Sequence, residues 1–246
     1  MFRPRALAPD RYHPTKAVTY RRIVVGTDGS DAADRAVGHA AWLSHRLGAD
    51  LLVSHAYGGG HDPAEGRRLG ASVLRDACAR IGEAPVPTSH LRRGDAAEVL
   101  VSVAREENAD LIVVGNRGLG NRRVLMGTVP ARVAGTTPCD VLVAHTSDPR
   151  EPGVARVVIG SDGSATAQRA EAVAVALADA LGAERETVRV TGEEAAGGLV
   201  RLAEARAADV IAVGNKGLVG ARRFLTSVPS RVARQAGCHV LLVKTT

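Results

Sequence analysis

The chain of 246 residues is poor in aromatic side chains, which make up 2% of it, and in cysteine, of which there are three. So few aromatic rings leave no stacking platform for single strands, and specific nucleic-acid binding is not expected. Three scattered cysteines form neither a disulfide framework nor a metal-ligand pattern. No apolar run reaches the roughly 18 residues of a membrane span, and the N-terminus lacks the apolar stretch of a signal peptide. A cytoplasmic protein without a membrane partner is therefore expected.

Lysine is also scarce, since the only three lysines are Lys16, Lys216 and Lys244, yet the net charge is +6 and the pI is about 9.8. Arginine supplies nearly all of the excess, and a basic balance favours an anionic partner such as a nucleotide. The eight histidines are scattered, and no nucleophile lies beside a base in any recognisable pattern. The sequence therefore predicts no catalytic residue and no metal site.

The chain contains two related copies of one sequence, and the second copy is shorter. Residues 110–143 align without a gap to residues 209–242, at an offset of 99. Residues 22–30 align to residues 156–164 at an offset of 134. The difference of 35 residues is about the length of one strand–helix unit. The second copy therefore lacks one such unit.

Short apolar strands alternate with amphipathic helices in both copies, which predicts parallel sheets covered by helices on both faces. Ser30 is a candidate helix N-cap and Gly48 a candidate helix end, and Ser164 and Gly182 repeat the pair. The fold class expected is α/β, with two tandem doubly wound, Rossmann-like domains. The predicted divisions are a flexible arm at 1–19, a full domain at 20–146, a linker at 147–153 and a truncated domain at 154–246.

Glycines follow the apolar strand at 111–114 and precede a helix that starts near Thr128. Gly115 allows a tight exit from the strand, and Gly118 and Gly127 allow close approach of the backbone to a ligand. The N-terminus of the following helix is an anion site, to which the guanidinium groups of the segment add charge. These arginines are Arg117, Arg122 and Arg123. Turn geometry alone is the competing explanation for the glycines.

Asp28 follows the first strand, so it is expected at the same carboxyl edge of the sheet as the glycine-rich segment. An acidic side chain at that edge can accept a hydrogen bond from a ribose hydroxyl. A role confined to the turn or to capping the next helix is about as plausible for Asp28 considered alone. The combination of Asp28 with the glycine-rich segment favours a nucleotide site.

With these residues in view, both copies resemble universal stress protein domains, and the first resembles the ATP-binding type. The late motif of that family is G-x2-G-x9-G-[ST]; Gly115, Gly118, Gly127 and Thr128 match it with eight residues in place of nine. The resemblance covers nearly all of the chain from Arg22 onward. It implies a five-stranded parallel sheet in the full domain and dimerisation through the last strands.

The resemblance also implies a set of nucleotide contacts in the first copy. Asp28, beside Thr27, would contact the adenosine, and Ala56 would lie near adenine. The phosphate and ribose contacts would come from the glycine-rich segment, namely Gly115, Asn116, Arg117, Gly118, Arg122, Arg123, Gly127, Thr128 and Val129. The bound cofactor expected is ATP, alone or with Mg²⁺.

The second copy departs further from the motif. It keeps Asp162, Gly214 and Gly217, but Thr226 stands in place of Gly127 and Ser227 in place of Thr128. A Cβ at the Thr226 position obstructs close backbone approach wherever a positive φ is needed. A degenerate second site is therefore expected.

The leading hypothesis is a tandem universal stress protein that binds ATP in its first domain and acts as a nucleotide-responsive stress regulator. The two halves are expected to pair as an intramolecular pseudo-dimer, with a homodimer as a further possibility. One alternative is a structural or interaction module of the same fold that binds no nucleotide. The other is a slow ATPase, since no base or metal ligand for fast hydrolysis is evident.

Overall fold

The computed structural model describes residues 20–58, 62–81, 86–116, 128–147, 151–192, 194–215 and 227–245. The arm at 1–19 lies outside them. Strands and helices alternate through the first half of the described chain, as the sequence predicts. Its elements are β1 (Arg22–Gly26), α1 (Asp31–Leu47), β2 (Asp50–Tyr57), α2 (Pro63–Ile81), β3 (Thr88–Arg93), α3 (Ala96–Glu106), β4 (Leu111–Gly115), α4 (Thr128–Thr136) and β5 (Asp140–Ala144).

The second half repeats this order with one strand and one helix fewer among its described residues. Its elements are β6 (Arg156–Ser161), α5 (Ala165–Leu181), β7 (Glu184–Arg189), α6 (Ala195–Ala205), β8 (Val210–Asn215), α7 (Val228–Gln235) and β9 (His239–Lys244). No helix in the described ranges combines the length and apolar character that a membrane crossing requires.

The described strands form one sheet of nine strands in the order β3-β2-β1-β4-β5-β9-β8-β6-β7. Neighbouring strands run parallel within each half, and β5 pairs antiparallel with β9 where the halves meet. In that central pairing Val141 faces Leu242, and Val143 faces Val240. The α/β fold with parallel strands, predicted from the alternating pattern, is confirmed.

Two hydrophobic cores lie on the two faces of this sheet, and each contains residues of both halves. One core packs α1, α2 and α5 against the sheet, and the other packs α3, α4, α6 and α7. Their side chains are mainly Val, Leu, Ile and Ala, as the shortage of aromatic residues requires. Both faces are covered, which explains why the central strands are apolar throughout.

The helix ends predicted from the repeat are present in both halves. Ser30 Oγ accepts the backbone N–H of Ala33, and Gly48 ends α1 in the left-handed conformation at φ 67°. Ser164 Oγ accepts the backbone N–H of Ala167, and Gly182 ends α5 at φ 70°. The left-handed backbone explains the glycine after each helix, because other residues are strained there.

The shorter second half keeps a strand in the place of β2. β7 pairs in parallel with β6, and Ser161 lies opposite Arg189. The chain then enters α6 directly, without counterparts of α2 and of a third strand beside β7. The sequence of β7, Glu-Arg-Glu-Thr-Val-Arg, is charged on an edge strand. Such charges discourage pairing with a further strand.

Candidate functional site

The strand order of the first half reverses beside β1. Within the sheet β2 pairs with β1 on one side, whereas β4 pairs with β1 on the other side. In open parallel sheets such a reversal leaves a crevice at the carboxyl ends of the strands, where ligands bind. Here the crevice lies between the turn at 27–30, after β1, and residues 115–116, at the end of β4. The second half has the equivalent reversal between β6 and β8.

Asp28 lies in a tight turn that leads from β1 into α1. Its Oδ1 accepts hydrogen bonds from the backbone N–H of Ser30 at 3.0 Å and from Ser30 Oγ at 2.6 Å. Gly29, between them, has φ 79°, which a side chain tolerates poorly. Asp28 therefore shapes the turn that follows β1, at the edge of the sheet where the crevice lies.

The preceding residue, Thr27, is held on three sides. Its backbone N–H donates to the Ser54 carbonyl at 3.0 Å, and its Oγ1 accepts the Gly29 N–H at 3.2 Å. Its carbonyl oxygen accepts a hydrogen bond from Nδ1 of His55 at 2.9 Å. The Thr27 side chain is buried and used within the turn. His55 thus has a structural role in holding the turn.

Asn116 ties the ends of β4 and β5 together. Its backbone N–H donates to the Ala144 carbonyl at 2.8 Å. Its Oδ1 accepts the N–H of Thr146 at 3.1 Å and the Thr146 hydroxyl at 2.7 Å. The side chain is only 4% exposed. Asn116 therefore positions the start of the glycine-rich segment and presents little surface of its own.

Arg35, which the sequence analysis did not select, completes this corner. Its Nε donates to the Thr146 carbonyl at 2.7 Å. Arg169, its equivalent at the repeat offset, donates from Nε to the Lys244 carbonyl at 3.3 Å. The presence of an arginine at the same place in both copies was the available signal.

The glycine-rich segment itself falls largely outside the described residues. Arg117, Gly118, Arg122, Arg123 and Gly127 all lie there. The chain is described again from Thr128, the first residue of α4, and Val129 is half-buried beside it. In the equivalent helix Ser227 is the N-cap and accepts the Ser230 N–H at 3.3 Å.

On the side of β2, apolar side chains on the two faces of the sheet border the first crevice. Ala56 is partly buried and packs against the core at the end of β2. Helix α2 lies across the turn, where Val73 is so close that a Cβ added to Gly29 would lie 3.1 Å from it. The apolar surface of these side chains would suit the flat face of a base.

In the second crevice a cationic side chain lies over the equivalent turn. Asp162 shapes the same turn, and its Oδ1 accepts the Ser164 N–H at 2.9 Å. By strand register Arg189 takes the place of His55, and a Cβ added to Gly163 would lie 3.1 Å from its guanidinium. Gly214 ends the apolar part of β8, whereas Gly217 lies outside the described residues. The two crevices therefore share a turn and differ in what covers it.

The titratable groups near the sheet add no reactive centre. Burial raises the pKa of Cys139 to about 11 and that of Cys238 to about 12. These two thiols are partly buried against the core. Across the described ranges, no three His, Cys, Asp or Glu side chains are grouped so as to hold a metal ion.

Comparison with known proteins places this architecture in a family. The model of the universal stress protein family matches residues 19–145 and again residues 143–244. Universal stress protein Rv1636 of Mycobacterium tuberculosis is 37% identical over 150 residues, which is 52% of this chain and 98% of that protein. A universal stress protein of Thermus aquaticus is 36% identical over 51% of this chain and 99% of its own length.

A solved structure has the same fold over nearly the whole chain. A universal stress protein from Archaeoglobus fulgidus aligns over 92% of this chain and 97% of its own, at TM-score 0.75 and 18% identity. A universal stress protein in complex with cAMP is 35% identical, covers 52% of this chain and 99% of its own, and has a TM-score of 0.46.

The fold and the two crevices define a protein of tandem, doubly wound α/β domains, each with a tight turn after its first strand at the switch point. The two matches of the family model cover nearly the whole chain, and the chain belongs to the universal stress protein family.

Proposed function

We propose that this protein binds ATP, alone or with Mg²⁺, in the crevice between β1 and β4, with one site per chain. The observation that carries the proposal is the difference between the two crevices. In the first crevice the apolar side chain of Val73 in α2 covers the turn of Asp28, whereas the guanidinium of Arg189 covers the equivalent turn of the second. The start of α4 lies beyond the glycine-rich segment of that crevice.

Each part of the crevice has a chemical role in this proposal. The Asp28 carboxylate accepts a hydrogen bond from a ribose hydroxyl, and Thr27 and His55 hold the turn in place. Ala56 lies against the adenine. The backbone amides of Gly115, Gly118, Gly127, Thr128 and Val129, together with the N-terminus of α4, contact the phosphates, and Arg117, Arg122 and Arg123 balance their charge.

The second half does not bind ATP in this proposal. Arg189 covers its turn where Val73 covers the first, and Thr226 replaces Gly127. A guanidinium there lies where an apolar surface for a base would be needed. In this proposal the protein is a nucleotide-responsive stress regulator with one ligand-binding half and one supporting half.

We infer that residues 20–146 and 154–246 are the two domains and that they remain joined through β5 and β9 in solution as an intramolecular pseudo-dimer. Residues 147–153 are the only connection proposed between them. So short a linker keeps the second domain at a millimolar-scale effective concentration, which favours pairing within the chain. Association of two whole chains through another surface stays compatible with this arrangement.

The first experiment is mass spectrometry of nucleotide released when the purified protein is denatured, followed by calorimetric titration with ATP, AMP, cAMP and dAMP. We expect one site for ATP per chain. Two equal sites would contradict the proposed difference between the two halves. Tighter binding of cAMP or dAMP than of ATP would show that ATP is not the preferred ligand. The absence of any binding would favour an interaction module, and phosphate release during titration would favour a slow ATPase.

Two matched substitutions test the assignment of the crevice. Asp28→Ala should weaken ATP binding by roughly 1–2 kcal/mol, the scale of a hydrogen bond to a charged group. Asp162→Ala removes the carboxylate that shapes the equivalent turn of the second half, so it controls for loss of the turn. Because the turn of the first half stays intact in this variant, the affinity for ATP should be unchanged, and any loss of stability shows the general cost of losing one such turn. Equal effects of the two substitutions would refute the placement of the site.

A further inference from the structure

The C-terminal end of α4 is held by two side chains of the second half. Asn215, the last residue of β8, donates from Nδ2 to the carbonyl of Ala134 at 2.8 Å. Lys244, the last residue of β9, donates from Nζ to the carbonyl of Thr137 at 3.0 Å. Both contacts cross the boundary between the halves.

These two contacts satisfy groups that a helix cannot satisfy by itself. The last four carbonyls of a helix lack intrahelical partners, and Ala134 is among the last four residues of α4. The carbonyl end also carries partial negative charge, so the ammonium group of Lys244 is favoured there. Asn215 is 4% exposed, and losing its bond would leave a buried carbonyl with one partner fewer.

The opposite end of the same helix faces the proposed phosphate site. α4 has nine residues and is therefore only about 13 Å long at 1.5 Å per residue. Over so short a helix, a shift at the C-terminal end also moves Thr128 and Val129 at the N-terminal end. The contacts at Ala134 and Thr137 therefore help to set where the amides at the start of α4 point. The ion pairs of Arg132 with Asp95 and Glu98 contribute to the same placement.

We infer that Asn215 and Lys244 are positioning residues for nucleotide binding in the first half, and that the truncated second half serves to hold α4. This inference rests on the function proposed above, because it concerns the same site. It gives the second half a role that does not require a ligand of its own. Neither residue contacts the nucleotide; each acts through the backbone of α4.

The test uses the full chain and ATP as the titrant. Asn215→Ala removes the donor to Ala134, and Lys244→Met removes the cation while keeping much of the side-chain length. Lys244→Arg restores a cationic donor. Arg46→Ala is the matched control, because Arg46 also crosses between the halves, donating from Nη2 to the Leu181 carbonyl at 3.4 Å, but on α1, against the other face of the sheet. Thermal melts of all variants accompany the titrations.

We expect Asn215→Ala and Lys244→Met each to weaken ATP binding by about fivefold to tenfold, the effect of losing about one hydrogen bond. Lys244→Arg should recover most of the affinity, and Arg46→Ala should bind as the wild type does. Faster hydrogen exchange at the amides of α4 in Asn215→Ala, without nucleotide, should accompany the loss.

Two results would overturn the inference while leaving the proposed function intact. One is wild-type affinity in both Asn215→Ala and Lys244→Met. The other is an equal loss in Arg46→Ala, which would mean that any weakening of the boundary lowers affinity. Failure of the wild-type protein to bind ATP would overturn the proposed function, and the inference with it.

Discussion

At the scale of single residues, one tyrosine joins the start of the first strand to the boundary between the halves. The Tyr20 hydroxyl donates to Oδ2 of Asp140 at 2.8 Å, and Oδ1 of the same carboxylate accepts the backbone N–H of Lys244 at 2.7 Å. Tyr20 is only 2% exposed. Asp140 therefore links β5, β9 and the residues just before β1, at the edge of the sheet opposite the first crevice.

Tyr20 also makes stability depend on alkaline pH. Burial, followed by the charge of Asp140, raises the pKa of Tyr20 well above its ordinary value. A folded-state pKa above the unfolded value of about 10 means that this contribution is complete below pH 10 and is lost as the pH rises further. Tyr20→Phe should cost about 1.5–3 kcal/mol of unfolding free energy at pH 7. It should also lose less stability than the wild type between pH 10 and pH 11.

Urea unfolding of both proteins at pH 7, 10 and 11 measures this difference. Tyr57→Phe is the matched control, since Tyr57 lies in β2 at the opposite edge of the sheet and is half-buried. It should keep the alkaline loss seen in the wild type. A loss above pH 10 that is the same in Tyr20→Phe and in the wild type would contradict the role given to Tyr20.

At the scale of elements, two helix glycines differ in what surrounds them. Gly70 in α2 lies directly over β2 and β3, so that an added Cβ would be 2.7 Å from both His55 and Leu91. Gly198 in α6 has no neighbouring atom within 4 Å of an added Cβ. The first glycine permits close packing of α2 on the sheet, whereas the second only weakens its helix.

Alanine at the two positions should therefore have opposite effects. Gly198→Ala should raise the unfolding free energy by about 0.5–1 kcal/mol, because alanine is the better helix former. Gly70→Ala should lower it by about 1–3 kcal/mol through overpacking against His55. Chemical denaturation of the two variants beside the wild type tests the pair. Destabilisation by Gly198→Ala would show that α6 is packed more tightly there than the structure has it.

At the scale of the whole molecule, the sheet continues through the boundary between the halves. Leu241 and Leu242 of β9 are completely buried, and each hydrophobic core includes residues from both sides of that boundary. The second half alone would expose the edge of β9 and the apolar surface around it. It also has fewer elements with which to build a core of its own.

Residues 152–246 expressed alone should therefore not form a stable monomer. We expect association, aggregation or a broad melt of low cooperativity, measured by light scattering and calorimetry. Residues 20–146 provide the matched fragment, with one more strand and helix than the second half, and should keep more native structure. A cooperative, monomeric melt of fragment 152–246 would show that its stability does not depend on the boundary.

Much of the local structure could be predicted from the sequence because helix caps and apolar strands depend on residues close together in the chain. The serine and glycine that bound α1 and α5 act on the nearest turn, and a continuous apolar strand needs only two covered faces. The internal repeat and its missing 35 residues likewise follow from comparing the chain with itself. Together they determined the α/β fold, the element order and the location of the turn at Asp28.

Only the tertiary structure decided what covers each turn and what holds α4. Val73 and Arg189 are distant in sequence from the turns that they cover. β7 pairs with β6 as β2 pairs with β1, and that pairing brings Arg189 to its turn. Asn215 and Lys244 are 81 and 107 residues from the carbonyls that they contact. Such contacts depend on how the two halves join within one sheet, which local propensities do not encode. The shortened half therefore contributes to the first half through packing across β5 and β9, a relation that no motif in the chain records.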